Sequence, residues 1–215
     1  MVLKILDALE TLYHNEANPP VLGHSEPLDG LVLTILSQNT NDKNRDKAFE
    51  NLKALFPTWP QVAKADVSRL EGLIRVAGLS RTKSAFIIAI LEILHRDFGV
   101  YSLKPLAERE NMRDYLLRLP GVGVKTAACV MLFEFGRKAF PVDTHIARIA
   151  RRTQIVNENA KPEEISEFLE FLVPLERCLG GHVNLIQHGR TVCHSRKPAC
   201  QSCILKEAGL CSTCS

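Results

Sequence analysis

The sequence predicts an all-α protein. Its strongly periodic segments place apolar residues at the i, i+3, i+4 spacing of an amphipathic helix, and no convincing alternating strand pattern accompanies them. Apolar residues make up 46% of the 215-residue chain and charged residues 24%, which is typical of a globular protein with one or two cores. No apolar run reaches the roughly eighteen residues that a membrane span needs, and the acidic, amphipathic start does not resemble a signal peptide. We therefore expect a cytoplasmic protein with no membrane partner.

The helical spacing recurs along the whole chain. In order, the segments that carry it are 2–13, 28–37, 43–56, 80–98, 109–119, 124–135, 144–152, 162–173 and 183–192. Proline and glycine clusters at 18–20, 56–60, 77–79 and 180–181 predict the loops between them. The segment 84–94 is apolar on almost every side, which predicts a central buried helix with Ser80 as its N-cap.

The segment 119–125, Leu-Pro-Gly-Val-Gly-Val-Lys, predicts an anion-binding turn at a helix start. Gly121 and Gly123 carry no side chains, so backbone N–H groups can converge on a phosphate. Lys125 falls in the first turn of the next helix, where the helix dipole and apolar neighbours favour the neutral, nucleophilic amine. An ordinary turn followed by a solvated lysine is the alternative interpretation.

Asp143 precedes the periodic run 144–152 and is predicted to be its N-cap. A capping carboxylate accepts backbone N–H groups, and we expect it to stay ionised. Asp143 could be a structural cap alone, but an ionised carboxylate can also stabilise positive charge in a reaction.

Five cysteines lie within 22 residues, and their spacing is C-x6-C-x2-C-x7-C-x2-C from Cys193 to Cys214. Disulfides are disfavoured in the cytoplasm, so thiols this close indicate a metal site. Thiolate chemistry allows both zinc and an iron–sulfur cluster. The two remaining cysteines, Cys129 and Cys178, are expected to be small buried thiols.

The net charge of +3 is unevenly distributed. Residues 137–215 contain 11 Lys and Arg against 8 Asp and Glu, while residues 1–136 contain 16 of each sign. Basic residues on this part of the chain are candidates for phosphate contacts. The ones chosen as candidates are Arg148, Arg190, Arg196 and Lys197.

These motifs resemble the endonuclease III branch of the helix-hairpin-helix DNA glycosylases. The segment 119–127 is similar to the hairpin of that family with its Schiff-base lysine, and 142–146, Val-Asp-Thr-His-Ile, to its catalytic aspartate motif. Residues 188–193 and 196–200 resemble the approach to its [4Fe-4S] cluster. The resemblance implies two α-helical lobes, a six-helix barrel over 22–136 and an iron–sulfur lobe built from 1–21 and 137–215, with a cleft between them that holds Lys125 and Asp143.

The resemblance also implies the cluster ligands. The family spaces its cysteines C-x6-C-x2-C-x5-C, whereas the last interval is seven residues in this chain. Cys193, Cys200 and Cys203 match, Cys211 is the expected fourth ligand, and Cys214 is the substitute.

The function implied is that of a bifunctional DNA glycosylase and abasic-site lyase, monomeric and acting on damaged double-stranded DNA. Lys125 would release the base and form a Schiff base, with Asp143 assisting. Gln38 and Leu79 would fill the space left by the flipped nucleotide. The hairpin would clamp a backbone phosphate, with a monovalent cation on its carbonyls as in the family; the expected contact residues there are Leu119, Gly121, Val122 and Gly123.

Alternatives to this function stay open. They are a monofunctional glycosylase for mismatched or alkylated bases, a noncatalytic DNA-binding module, and a zinc-stabilised interaction protein. Oxidised pyrimidines are the expected substrates, although Asn41 stands where the family commonly has an acidic residue.

Overall fold

The computed structural model describes residues 1–13 and 23–212 of the chain. Within that part the regular secondary structure is entirely helical, in agreement with the predicted fold class. The α-helices are α1 Val2–Tyr13, α2 Pro27–Ser37, α3 Asp42–Leu55, α4 Trp59–Ala63, α5 Val67–Ile74, α6 Ser80–Phe98, α7 Met112–Leu117, α8 Val124–Phe135, α9 Thr144–Arg152, α10 Pro162–Leu172, α11 Leu175–Thr191 and α12 Ile204–Glu207. Short 3₁₀ turns occupy Arg75–Ala77, Lys104–Glu108 and Cys200–Ser202.

Local side-chain bonds explain where several helices start. Glu26 accepts a hydrogen bond from the backbone N–H of Leu28 at the start of α2, and Asn41 does the same for Asn44 in α3. These bonds satisfy N–H groups that have no partner within the helix. The prediction that Ser80 caps α6 is wrong, because Ser80 is the first helical residue and the N-cap is Leu79 in a left-handed conformation.

Two other expectations from the sequence need correction. The segment 109–119 is helical only over Met112–Leu117. Conversely, α11 begins at Leu175 and runs through the glycine pair predicted to be a loop. A Cβ atom on Gly181 would lie 3.1 Å from Leu6 Cδ2, so the glycine allows α1 and α11 to pack closely.

The chain divides into two compact units. One comprises Met1–Leu22 with Gly136–Ser215, and the other comprises Gly23–Phe135. Their assignment as an iron–sulfur lobe and a six-helix barrel stays a prediction. None of the described helices is long and apolar enough to cross a membrane.

In the unit Gly23–Phe135, α2 packs against α8, and α6 packs against α5. The buried carboxylate of Glu134, at the end of α8, accepts a hydrogen bond from the backbone N–H of His24 at 2.9 Å. Gly30 on α2 faces this carboxylate so closely that a Cβ atom would collide with it. The glycine therefore sets how closely α2 approaches α8, the helix that begins at the predicted hairpin.

In the other unit, α11 packs against both α1 and α9. The guanidinium of Arg177 on α11 binds Asp7 and Glu10 of α1, with N–O distances of 2.7 and 2.8 Å. The hydroxyl of Ser166 in α10 donates to the carbonyl of Phe140 at 2.7 Å, directly before the segment that carries Asp143. The N-terminal helix is thus tied to the C-terminal part of the chain.

Candidate functional site

The predicted hairpin lies between α7 and α8. Gly121 has φ +75°, and a Cβ atom there would collide with the ring of Phe86, so glycine is required on two counts. The backbone N–H of Val122 donates to the carbonyl of Leu119 at 3.1 Å and closes the turn. Leu119 and Val122 are buried, which anchors the turn to its unit, while Gly123 is exposed.

Lys125 is the second residue of α8 and is exposed. The residues that follow it, from Thr126 to Leu132, are buried, so α8 enters the core of its unit directly after Lys125. That the helix dipole and apolar neighbours favour the neutral amine stays a prediction. An exposed primary amine directly after a glycine turn is accessible to a large substrate.

Asp143 is confirmed as the N-cap of α9. Its Oδ1 atom accepts hydrogen bonds from the backbone N–H groups of His145 and Ile146, both at 2.9 Å. Within the described part of the chain, its Oδ2 atom has no hydrogen-bond partner. One carboxylate oxygen therefore holds the helix, and the second is available to another group.

Gln38 ends α2, and its side-chain amide points to the hairpin. The Nε2 atom donates to the carbonyl of Gly121 at 2.9 Å. Leu79 precedes α6 with φ 49° and ψ 33°, and its side chain is 57% exposed. A bulky exposed residue in the left-handed region costs about 1 kcal/mol or more, and such strain is concentrated at functional positions.

The cysteine cluster surrounds a small cavity. Cys193, Cys200, Cys203 and Cys211 all line it, together with His188. Cys193, Cys203 and Cys211 are free thiols. Cys214, the substitute ligand, lies outside the described residues. Among the residues that are described, no three His, Cys, Asp or Glu side chains converge on a point that could hold a single metal ion.

The HhH-GPD superfamily base excision DNA repair protein model matches residues 32–174 of the chain. The chain belongs to this superfamily. Within it, the endonuclease III of Thermotoga maritima is 37% identical over 184 residues, which cover 85% of this chain and 82% of that protein. This similarity also shows membership of the endonuclease III family, as the sequence motifs predicted.

Solved structures show the same relationship. One of them is a trapped covalent intermediate of endonuclease III with DNA, in an estranged-adenine complex. Its TM-score is 0.82 and its sequence identity 29%, and the match covers 99% of this chain and 96% of that chain. A second is a thermostable thymine-DNA glycosylase with the same TM-score and 25% sequence identity. The match covers 99% of this chain and 95% of that chain.

Two arginines of this chain hold the loop between Cys193 and Cys200, called the cysteine loop below, from its inner side. Arg148 donates to the carbonyls of Cys193 at 2.8 Å and Gly189 at 2.9 Å. Arg152 donates to the Cys193 thiol at 3.2 Å and to the carbonyls of His194 and Ser195 at 2.7 and 3.1 Å. Arg148, a candidate for phosphate contact, thus directs donors to the protein backbone. Nothing in the spacing of the sequence indicated this role.

His188 is a second residue that the sequence did not single out. Its Nδ1 lies 3.1 Å from the Tyr13 hydroxyl, and its Nε2 lies 3.5 Å from the Cys203 sulfur. Burial lowers the pKa of His188 to about 4, so the ring is neutral at physiological pH. A neutral imidazole beside a thiol adds no positive charge to the cavity.

The remaining basic candidates lie on the surface. Arg190, at the end of α11, is exposed, as are Arg196 and Lys197 on the loop between Cys193 and Cys200. Lys197 has φ 48°, in the left-handed region. Arg148 and Arg152 therefore hold the inner side of this loop, while Arg196 and Lys197 lie on its exposed side.

Proposed function

We propose that this protein is a bifunctional DNA glycosylase and abasic-site lyase that acts on damaged double-stranded DNA in the cytoplasm, at the nucleoid, as a monomer. The observation that carries the proposal is the exposed amine of Lys125, placed directly after the glycine hairpin at the start of α8. A noncatalytic binding module would need the hairpin but not an amine at this position. Membership of the endonuclease III family supports the same conclusion.

In the proposed reaction the Lys125 Nζ atom attacks C1′ of the flipped nucleotide. The bond from C1′ to the base breaks, its electron pair leaves with the base, and the base gains a proton. The new secondary amine loses one proton, the C1′–O4′ bond breaks as the nitrogen lone pair forms the C=N bond, and O4′ takes up a proton, which gives a protonated Schiff base between Nζ and C1′. Removal of a proton from C2′ lets the C3′–O bond break, with the 3′ phosphate as leaving group, and the strand is cut on the 3′ side.

Asp143 would stabilise the positive charge that develops on the sugar as the base leaves. Its Oδ1 atom accepts hydrogen bonds from two backbone N–H groups, which fixes the orientation of the carboxylate. Its Oδ2 atom is then available for the sugar or for proton transfer. Such preorganised charge stabilisation is commonly the largest contribution to catalysis.

The hairpin would bind a backbone phosphate through the N–H groups between Leu119 and Lys125, with a monovalent cation on its carbonyls. Gln38 and Leu79 would enter the space that the flipped nucleotide vacates. In the structure Gln38 bonds to the Gly121 carbonyl, so its entry into DNA requires that bond to be exchanged. The exposed side chain of Leu79 needs no such exchange.

A [4Fe-4S] cluster is typical of the endonuclease III family, and we propose that this chain binds one through Cys193, Cys200, Cys203 and Cys211. All four residues line one cavity, which suits a cluster in which each iron takes one thiolate. The cluster would hold the loop that carries Arg196 and Lys197 for phosphate contact. Zinc in place of iron in the purified protein would contradict this assignment.

A monofunctional mismatch glycosylase is the second candidate function. It is favoured by the structural similarity to the thermostable thymine-DNA glycosylase. Such an enzyme releases the base with water as nucleophile and leaves the strand intact, so Lys125 would have no covalent role.

Borohydride trapping on duplex DNA with an abasic site tests the proposed function. We expect the wild type to form a covalent adduct and Lys125→Gln to form none. Lys104→Gln, which changes another exposed lysine of the same unit, is the control and should trap at the wild-type level. A wild type without adduct, or an adduct with Lys125→Gln, would contradict the lyase mechanism. Base release without strand cleavage would favour the second candidate.

A further inference from the structure

Lys83 is a fully buried lysine near the start of α6, with 1% of its surface exposed. Its Nζ atom donates hydrogen bonds to three backbone carbonyls, those of Leu36 at 2.8 Å, Gln38 at 2.7 Å and Ala77 at 2.8 Å. An ammonium group has three N–H donors and no acceptor. The three carbonyls therefore use the whole hydrogen-bonding capacity of the side chain.

These carbonyls belong to two separate parts of the chain. Leu36 and Gln38 lie at the C-terminal end of α2, while Ala77 ends the 3₁₀ turn before Leu79. The last carbonyls of a helix have no partner within the helix, and they form the negative end of its dipole. One ammonium thus binds the end of α2 and the end of the 3₁₀ turn together through charge-assisted bonds.

Each of these two parts also contains a residue in the left-handed region. Asn39 has φ 54° and Leu79 has φ 49°. Residues other than glycine keep such conformations only when the surrounding structure holds them there. Lys83 binds the carbonyl of Gln38, the residue before Asn39, and the carbonyl of Ala77, two residues before Leu79, so these bonds can supply that restraint.

We propose that Lys83 is a positioning residue for the reaction on duplex DNA. It holds the loops that carry Gln38 and Leu79 in one fixed arrangement. The proposal rests on the proposed function, in which both loops fill the space left by the flipped nucleotide. Lys83 itself is buried and does not touch DNA.

The chemistry of the position supports a specific role over simple packing. Burial lowers the pKa of Lys83, which shows that the site penalises the charged form. An apolar side chain of similar length would fill the same space without that penalty. It could not hold three carbonyls, however, so the amine is useful only where the loop geometry matters.

The role predicts a difference between two substrates. In duplex DNA an extruded nucleotide leaves a gap and an unpaired partner base, and the two loops must fill it. Single-stranded DNA with an abasic site has no such gap, so trapping there depends on Lys125 and Asp143 but not on the loops. Loss of Lys83 should lower the trapping rate on duplex DNA far more than on the single strand.

The test compares Lys83→Met with Leu94→Ala. Leu94 is fully buried in the same helix, eleven residues farther along, so its truncation lowers stability without removing a bond to either loop. Single-turnover borohydride trapping is measured for each variant on duplex and single-stranded abasic DNA. For Lys83→Met we expect the duplex to single-strand rate ratio to fall at least about tenfold, while Leu94→Ala stays within about twofold of wild type.

A second readout follows the partner base directly. The probe is duplex DNA with 2-aminopurine opposite a non-cleavable abasic analogue. A saturating concentration of the wild-type protein should raise the 2-aminopurine fluorescence, and Lys83→Met should raise it less than half as much. An unchanged rate ratio in Lys83→Met, or an equal fall in Leu94→Ala, would overturn the proposal. If Lys83→Met does not fold, Lys83→Gln replaces it, and failure of both to fold would show a purely structural role. A wild type that traps neither substrate contradicts the proposed function instead.

Discussion

Asp143 caps α9 and has a proposed catalytic role, and two substitutions separate the two. Asp143→Asn keeps a side-chain oxygen that can accept the bonds from His145 and Ile146, but it removes the charge. Asp143→Ala removes the cap and the charge together. Replacing a capping Asp by Ala costs about 1 kcal/mol, whereas Asn caps about as well as Asp.

The expected magnitudes follow from these bonds. For a chain of this size about 1 kcal/mol corresponds to a fall in Tm of about 2–4 °C. We expect that fall in Asp143→Ala and a change below about 1 °C in Asp143→Asn. Because both variants lack the carboxylate charge, both should release a damaged base at least about 100-fold more slowly.

Tm is measured by circular dichroism, and base release by single-turnover kinetics at saturating enzyme on duplex DNA with an oxidised pyrimidine. Asp66→Ala is the matched control, because Asp66 caps α5 with a bond to Ser68 and has no proposed role in the reaction. Asp66→Ala should lower Tm by a similar amount and release the damaged base at the wild-type rate. Wild-type turnover in Asp143→Asn would refute the catalytic role of the charge.

Three further predictions concern other parts of the molecule. Arg152→Met removes the donors that hold the cysteine loop, so iron per protein, measured by colorimetric assay, should fall below about half, with Arg196→Met unchanged as the exposed control. Leu79→Gly removes the strain of a leucine in the left-handed region, so the free energy of unfolding in urea should stay equal or rise by up to about 1 kcal/mol. The rate of base release from duplex DNA should fall about tenfold. A large loss of stability would contradict this prediction. Burial raises the pKa of Tyr115 to about 12, above its usual 10. The folded state therefore keeps the proton that the unfolded state loses, so wild-type stability should fall between about pH 10 and 12 by more than that of Tyr115→Phe; parallel pH profiles would disprove the shift.

The long helices could be predicted from sequence because their signals are local. The predicted bounds of α6, α8 and α9 agree with the structure, since each has a sustained apolar period. The helices α4 and α5 were missed because five and eight residues span too few turns to show a period. The start of α11 was missed because Gly181 packs against Leu6, and that contact joins distant parts of the chain.

The same distinction applies to the candidate site. The capping role of Asp143 depends on the two residues after Thr144, so the sequence could show it. The bonds of Lys83 reach back 47 residues to Leu36, and its position in an apolar helix gives no sign of them. Residues whose roles depend on distant backbone carbonyls are the ones that sequence reasoning could not find.

Charge illustrates this limit most clearly, because a count of basic residues does not distinguish inward from outward donors. Arg148 and Arg152 lie in the positive C-terminal part of the chain, yet their guanidinium groups donate to backbone carbonyls around the cysteine loop. Arg196 and Lys197 extend from the same loop to the surface. The inward pair fixes the shape of the loop, and the outward pair would supply the positive charge for the proposed phosphate contact. Of the two pairs, only the outward one would contribute to the salt dependence of DNA binding.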